Sequence, residues 1–94
     1  MSYSVSIIIP NYNGRRLLEE NLPSVITAAG QCGYETEVIV VDDGSSDDSV
    51  AWLAESHPGV VKTVQRKTNG GFSKAISSGV ESASGDILFF LNSD

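Results

Sequence analysis

Short runs of apolar residues recur along the chain, and most of them end in polar residues. The runs are rich in Val and Ile and do not alternate between apolar and polar positions, which is typical of strands buried on both faces of a sheet. They predict four strands, near Val5–Pro10, Glu37–Asp42, Val60–Gln65 and Asp86–Leu91. The pattern therefore favours a sheet that is enclosed by other elements.

Apolar residues between these runs lie at helical spacing. They predict a first helix over Arg16–Ala29. Pro23 should kink this helix unless a second segment begins there, because proline removes a backbone hydrogen bond. A second helix is expected to begin at Asp47, whose side chain can cap it, and to end near His57.

The third helical segment has the most regular pattern. Apolar residues recur three and four positions apart from Phe72 to Ala83, which favours a core position for Phe72. Gly85 is expected to end the helix in a left-handed conformation. The order βαβαβαβ predicts an α/β fold with about four strands, three helices, right-handed crossovers and a mostly parallel sheet.

Composition indicates one small globular domain. The chain has 94 residues, of which 40% are hydrophobic and 19% are charged, and this balance excludes a disordered chain. The net charge is −6, from 6 basic and 12 acidic residues. It argues against nucleic-acid binding, which needs a basic stripe. Binding of a phosphorylated small molecule is compatible with this net charge, because a divalent cation held by carboxylates can bridge to phosphate.

The single cysteine, Cys32, excludes a disulfide within the chain and favours a reducing compartment. We expect its side chain to act as a small, partly buried apolar group. The N-terminal residues lack the pattern of a signal peptide, and the apolar runs are too short to span a bilayer. A cytoplasmic location is the expectation.

Polar residues gather where the predicted strands end. Parallel strands bring their carboxyl ends to one edge, where ligands of open α/β sheets bind, so Pro10–Asn13, Asp42–Asp47 and Asn92–Asp94 should surround one pocket. Neighbouring strand residues point to opposite sides, so one carboxylate can face the pocket while the other holds backbone amides. We expect Asp43 to be the ligand contact. A solvated turn is the alternative explanation of this segment.

Aromatic and glycine-rich residues suggest how such a pocket binds. Tyr12 offers a flat face on which a base can stack. Residues Thr68–Ala75 form a glycine-rich start to the third helix, whose free N–H groups suit a phosphate or carboxylate, and Lys74 in its first turn indicates a nearby anion. The segment matches neither standard phosphate-binding motif, and a plain loop explains it equally well.

Asn92 and Asp94 share one side of an extended strand end, where they can reach a ligand and a cation.

These motifs, in this order, resemble the family 2 glycosyltransferases over nearly the whole chain. The matching segments are Ser4–Asn13, Val40–Ser45, Asn69-x-Gly71-x-x-x-Ala75, Gly85-Asp86 and Leu91–Asp94. The resemblance implies a Rossmann-like GT-A domain, of which residues 1–94 would be the N-terminal, nucleotide-sugar-binding half without the acceptor half. It implies an inverting, metal-dependent transfer of a sugar from a nucleoside diphosphate sugar to a glycan or lipid acceptor.

The resemblance also implies roles for single residues. Those implied to bind the nucleotide are Pro10, Tyr12, Asn13, Asp43, Gly44, Asn69 and Asn92. Tyr12 would pack against the base, Asp43 would hydrogen-bond to the base, and Asp42 would be mainly structural. Asp94 would bind Mn²⁺ or Mg²⁺ at the diphosphate, with Asn92 nearer the ribose.

The chain departs from the family pattern at three points. Asn92 replaces the first acid of the Asp-x-Asp motif, and Ile76-Ser77 stands where the family often has Arg-Asn. The family's general base is an acid beyond position 94, so no catalytic residue is expected here. These 94 residues alone should bind nucleotide weakly and should not catalyse. The parent protein would work in the cytoplasm, with peripheral association at the inner face of the membrane.

Two other functional classes remain open. One is a non-catalytic nucleotide-binding or assembly module. The other is a phospho-acceptor receiver domain, which clusters acids after its first strand and places its acceptor Asp after the third. Here those strands end in Tyr12-Asn13 and Gln65-Arg66, which argues against a receiver. For any of these classes, a sheet edge left open near the fourth strand would favour self-association.

Overall fold

Strands and helices alternate strictly along the chain. A computed structural model describes residues 3–57 and 59–91. The elements are β1 Ser4–Asn11, α1 Arg15–Gln31, β2 Glu35–Asp43, α2 Ser49–Ser56, β3 Val61–Arg66, α3 Phe72–Ser82 and β4 Ile87–Phe90. All paired strands are parallel, and their order across the sheet is β3-β2-β1-β4. The predicted α/β fold is therefore confirmed.

The two central strands, β1 and β2, are buried on both faces because helices cover each side. On one face, α1 and α2 enclose a cluster that contains Ile9, Leu18, Leu22, Val38, Val40 and Leu53. On the other face, α3 packs its residue Ala75 against Ile8, Ile39 and Val41 of the two strands. This explains the lack of alternation in the sequence, since successive residues of β1 and β2 enter two different cores.

The first two helices differ in detail from their predictions. α1 continues through Pro23, so no second segment begins there. α2 begins at Ser49, and Asp48 occupies the N-cap position without a capping side-chain bond. The Asp47 carboxylate instead accepts hydrogen bonds from the backbone N–H of Ser49 at 3.0 Å and from its hydroxyl at 2.5 Å. Asp47 therefore stabilises the start of α2, although it lies one residue before the N-cap position.

Two predictions about α3 were wrong. Phe72 is 60% exposed rather than in the core, because it stands in the first turn of α3 and lines a pocket at the strand ends. Gly85 is not among the residues with positive φ, and α3 is followed by Ala83 in an extended conformation. Gly85 is needed for close approach, since a Cβ there would lie 2.7 Å from the backbone N of Ser6.

A polar cluster beside the start of β4 holds this strand on β1. The carboxylate of Glu37 accepts hydrogen bonds from the hydroxyl of Ser6 at 2.5 Å and from the backbone N–H of Ser84 at 2.7 Å. Burial opposes ionisation of Glu37, but these bonds outweigh it and lower its pKa. The cluster fixes the register in which Val5 pairs with Ile87, and β4 therefore points to the same sheet edge as β1.

β4 is an edge strand with much exposed apolar surface. Its large side chains that remain at least 40% exposed, together with the residue after it, are Ile87, Phe89, Phe90 and Leu91. Cys32, expected to be partly buried, is exposed and lines an apolar groove beside this edge. Within residues 3–57 and 59–91, no helix is long and apolar enough to cross a membrane.

Candidate functional site

A pocket of about 230 Å³ lies where β1 and β2 end and α3 begins. Its lining consists of Pro10, Asn11, Tyr12, Asp43, Asn69, Gly71, Phe72 and Ala75. β1 has β2 on one side and β4 on the other, so the chain reverses its direction of winding at this strand. The pocket therefore lies at a topological switch point, where open α/β sheets bind their ligands.

Asp42 links the ends of the two central strands. It is 1% exposed, and its carboxylate accepts hydrogen bonds from the Asn11 side-chain amide at 3.1 Å and from the backbone N–H of Ser45 at 3.0 Å. The other side-chain atom of Asn11, Oδ1, is buried and has no hydrogen-bond partner among the described residues. The sequence placed Asn11 within the pocket segment Pro10–Asn13 but indicated no role for its side chain.

Asp43 is a buried acceptor that receives three donors. Its Oδ1 accepts from the Nε of Arg66 at 2.8 Å and from the backbone N–H of Gly70 at 3.0 Å, and its Oδ2 accepts from the N–H of Gly71 at 2.8 Å. Burial raises the pKa of Asp43, but the bonds from Gly70, Gly71 and Arg66 outweigh burial and the net pKa is lowered. Asp43 is therefore ionised at neutral pH and holds the glycine-rich loop against the end of β2.

The residues beside Asp43 and Tyr12 join neighbouring loops to each other. Gly44 has φ +74°, and a Cβ there would lie 2.7 Å from the backbone N of Asn69. Asn13 has φ 49°, and its Oδ1 accepts from the backbone N–H of Ser46 at 2.8 Å and of Asp47 at 3.2 Å. Both residues support the pocket walls, while neither is part of the lining.

The chain matches the sequence model of glycosyl transferase family 2 over residues 6–94. It belongs to glycosyl transferase family 2. A curated relative, the undecaprenyl-phosphate 4-deoxy-4-formamido-L-arabinose transferase of Pseudomonas fluorescens, is 40% identical over 98% of this chain, which covers 28% of that protein. The chain thus spans about 28% of the length of the curated relatives that it matches first.

Solved structures of other family 2 glycosyltransferases show the same GT-A fold. The mannosyltransferase of Pyrobaculum calidifontis, in complex with GDP-Man and Mn²⁺, aligns with a TM-score of 0.81 and 29% identity over 100% of this chain and 28% of its own. TarS 1–349 of S. aureus, in complex with UDP-GlcNAc, aligns with a TM-score of 0.83 and 32% identity over 100% of this chain and 27% of its own.

The structure of this family 2 chain brings together four of the seven residues predicted to bind nucleotide. Pro10, Tyr12, Asp43 and Asn69 line the same pocket. The structure also adds Phe72, which the sequence had assigned to the core. The signal that could have identified Phe72 is its place directly after Gly71, at the end of the glycine-rich loop.

The residues predicted at the end of β4 stay untested. Asn92 and Asp94, the predicted ribose contact and metal ligand, lie outside the described residues. In the part of the chain that the structure describes, no group of three or more His, Cys, Asp or Glu side chains is arranged to hold a metal ion. Within residues 3–57 and 59–91, the pocket therefore has no such cluster beside it.

Proposed function

We propose that residues 1–94 form the N-terminal, nucleotide-sugar-binding half of an inverting, metal-dependent glycosyltransferase. The enzyme would move a sugar from a nucleoside diphosphate sugar to a glycan or lipid acceptor. The observation that carries this proposal is the pocket at the switch point, where an exposed aromatic ring, an ionised carboxylate and a glycine-rich loop meet in a family 2 chain. Relatives of the same fold bind GDP-Man or UDP-GlcNAc.

In this proposal, the pocket takes the base and the adjoining ribose. Tyr12 and Phe72 are 51% and 60% exposed and present aromatic faces for stacking. Asp43 accepts a hydrogen bond from a base N–H group. A volume of about 230 Å³ is below the usual range for a whole drug-sized ligand, so the diphosphate and sugar extend beyond the pocket.

The residues after β4 complete the donor site in this proposal. Asp94 would bind Mn²⁺ or Mg²⁺, and Asn92 would lie nearer the ribose. A bound divalent ion would neutralise the charge of the diphosphate. We assign no catalytic residue within these 94 residues and place the general base in the part of the relatives that this chain does not span.

A lipid acceptor would fit the curated relatives, which are named undecaprenyl-phosphate 4-deoxy-4-formamido-L-arabinose transferases. We therefore place the parent protein in the cytoplasm, peripherally bound at the inner face of the membrane and active in building a polysaccharide or glycolipid. Cell fractionation that recovers the protein from the medium would contradict this placement.

Titration calorimetry with UDP and GDP tests the proposed function. The protein should bind one of them, more tightly with Mn²⁺ or Mg²⁺ than with EDTA. A receiver domain would bind neither and would take phosphate from acetyl phosphate. A non-catalytic module would bind nucleotide, but the complete protein would release no nucleoside diphosphate from a nucleotide sugar in the presence of acceptor. Absence of binding to both nucleotides would overturn the proposal.

Removing either aromatic face should weaken that binding. Stacking of a base on an aromatic side chain contributes roughly 1–3 kcal/mol, so Tyr12→Ala and Phe72→Ala should each raise Kd roughly 5-fold to 150-fold. Tyr12→Phe should retain most of the affinity. Tyr34 is a matched control, since it is 50% exposed at the opposite end of the sheet, and Tyr34→Ala should leave Kd unchanged. An equal loss of nucleotide affinity in Tyr12→Ala and Tyr34→Ala would argue against stacking of the base on Tyr12.

We also propose that the open edge of β4 favours self-association. The edge combines unpaired backbone groups with Phe89 and Phe90, which are 54% and 48% exposed. Light scattering should show a mass that increases with concentration, and Phe89→Lys should reduce this increase. A constant monomer mass at millimolar concentration would contradict the idea.

A further inference from the structure

Arg66, the last residue of β3, joins three elements behind the pocket. Its Nε donates to Asp43 at the end of β2 at 2.8 Å, and its Nη1 donates to the Ser78 hydroxyl on α3 at 2.8 Å. A Cβ on Gly70 would lie 2.6 Å from the Nη2 of Arg66, so the guanidinium packs directly on the glycine-rich loop. Arg66 is not part of the pocket lining. Arg66 therefore contacts residues at the pocket but does not itself line the space that a ligand would occupy.

The geometry of Asp43 shows what this contact achieves. A carboxylate has about four lone-pair positions. Gly70, Gly71 and Arg66 occupy three of them, with the bond from Gly70 shared between both oxygens at 3.0 and 3.2 Å. About one position remains for a ligand. The direction of this remaining position depends on the other three donors, and Arg66 is the only side chain among them.

We propose that Arg66 is a positioning residue of the nucleotide site. It fixes the Asp43 carboxylate and the Gly70-Gly71 turn so that one acceptor position is presented to the base, and it does not itself touch the nucleotide. The inference rests on the proposed function, because it assumes that the pocket binds a nucleoside diphosphate.

The same contact has an electrostatic consequence. The side chain of Asp43 is 5% exposed and that of Arg66 is 24% exposed, so water screens this pair little. Other charged or titratable groups around Asp43 include Asp42 on its own strand, Tyr12 in the pocket lining, and Lys74, whose Cδ would lie 2.7 Å from a Cβ on Gly70. None of these groups donates to Asp43 in the described hydrogen bonds. Removal of Arg66 should therefore make protonation of Asp43 easier.

The test compares three variants at Arg66 and at a matched position. Arg66→Ala should raise Kd for UDP or GDP, whichever the unchanged protein binds, at least about tenfold, as expected for a lost bond to a charged group. Arg66→Lys retains one donor and should restore part of the affinity. Lys62 also lies on β3 and donates to α3, at the Ser82 carbonyl, but far from Asp43, and Lys62→Ala should leave Kd unchanged. Thermal unfolding identifies any variant that fails to fold.

The pH profile separates positioning from general loss of structure. Ionised Asp43 is the form that accepts a hydrogen bond, and its pKa is low, so the unchanged protein should retain affinity as the pH falls towards the usual aspartate range. As the pH falls, Arg66→Ala should begin to lose nucleotide affinity at a higher pH than the unchanged protein does. Arg66→Lys should begin to lose it at an intermediate pH. In a double-mutant cycle on the free energy of unfolding, Asp43→Asn should cancel most of the destabilisation that Arg66→Ala causes, because the two side chains share one bond.

Two failures can be told apart. If the unchanged protein binds neither UDP nor GDP, the proposed function fails and this inference fails with it. If the unchanged protein binds nucleotide and a folded Arg66→Ala or Arg66→Lys variant binds it equally well with the same pH profile, the positioning role alone is overturned.

Discussion

Asp43→Asn should abolish measurable nucleotide binding and destabilise the domain. The substitution replaces a charged acceptor by an amide, so at least one of the three donors faces an NH₂ group, and Arg66 loses its ionic partner. Breaking a buried ion pair from one side costs about 3–5 kcal/mol. We therefore expect a loss of affinity of roughly 100-fold or more, and a comparable drop in the free energy of unfolding.

Urea unfolding and titration calorimetry measure the two effects of Asp43→Asn. Asp48→Asn is the control, because Asp48 forms an exposed ion pair with Arg15 at 3.4 Å and is 63% exposed. Exposed pairs contribute about 0–1 kcal/mol, so this variant should unfold and bind like the unchanged protein. An Asp43→Asn protein with full stability and full affinity would show that the bonds around Asp43 are not energetically coupled to the pocket.

Gly44→Ala should distort the pocket, although it removes no side chain. Gly44 has φ +74°, a conformation that costs an ordinary residue about 1–2 kcal/mol. The new Cβ would lie 2.7 Å from backbone atoms of Thr68 and Asn69, and backbone cannot move aside cheaply, which adds about 1–3 kcal/mol. We expect a total destabilisation of about 2–5 kcal/mol and displacement of Asn69 from the pocket.

A second glycine provides the control for Gly44→Ala. Gly30 lies in α1, and a Cβ there would meet nothing within 4 Å. Gly30→Ala should increase the free energy of unfolding by roughly 0.4–1 kcal/mol and leave nucleotide affinity unchanged, because alanine restricts the unfolded chain. If both substitutions behaved alike, close approach at Gly44 would not explain its role.

The sequence predicted the elements and the pocket edge well because both follow from local patterns. Buried parallel strands have uniform apolar runs, and their carboxyl ends must meet at one edge. The sequence alone therefore placed Tyr12 and Asp43 together. Phe72 was misplaced because helical periodicity indicates a face of α3 but does not show where the sheet beneath it ends. Arg66 was missed as well, since its role depends on β3 lying next to β2.

Asn13 and Gly85 illustrate a second limit of sequence reasoning. Asn13 stays a predicted nucleotide contact, and the sequence did not indicate that its side chain also binds the loop before α2, a contact across 33 positions of the chain. Gly85 looked like a helix end because glycine has that role most often, whereas its real constraint is the backbone of β1. Both residues make contacts with segments that are distant in sequence, and no short-range sequence pattern encodes such contacts.

The pairing of β1 with β4 affects how the chain folds during synthesis. The backbone N–H of Ser4 binds the carboxylate of Asp86, 82 positions later. At about 5–20 residues per second, the ribosome needs roughly 4–16 seconds to make this stretch. Throughout that interval, one edge of the first strand has no neighbour to pair with. β1 is thus complete on this edge only after β4 has been made, and until then the nascent chain exposes a strand edge that chaperone binding would protect.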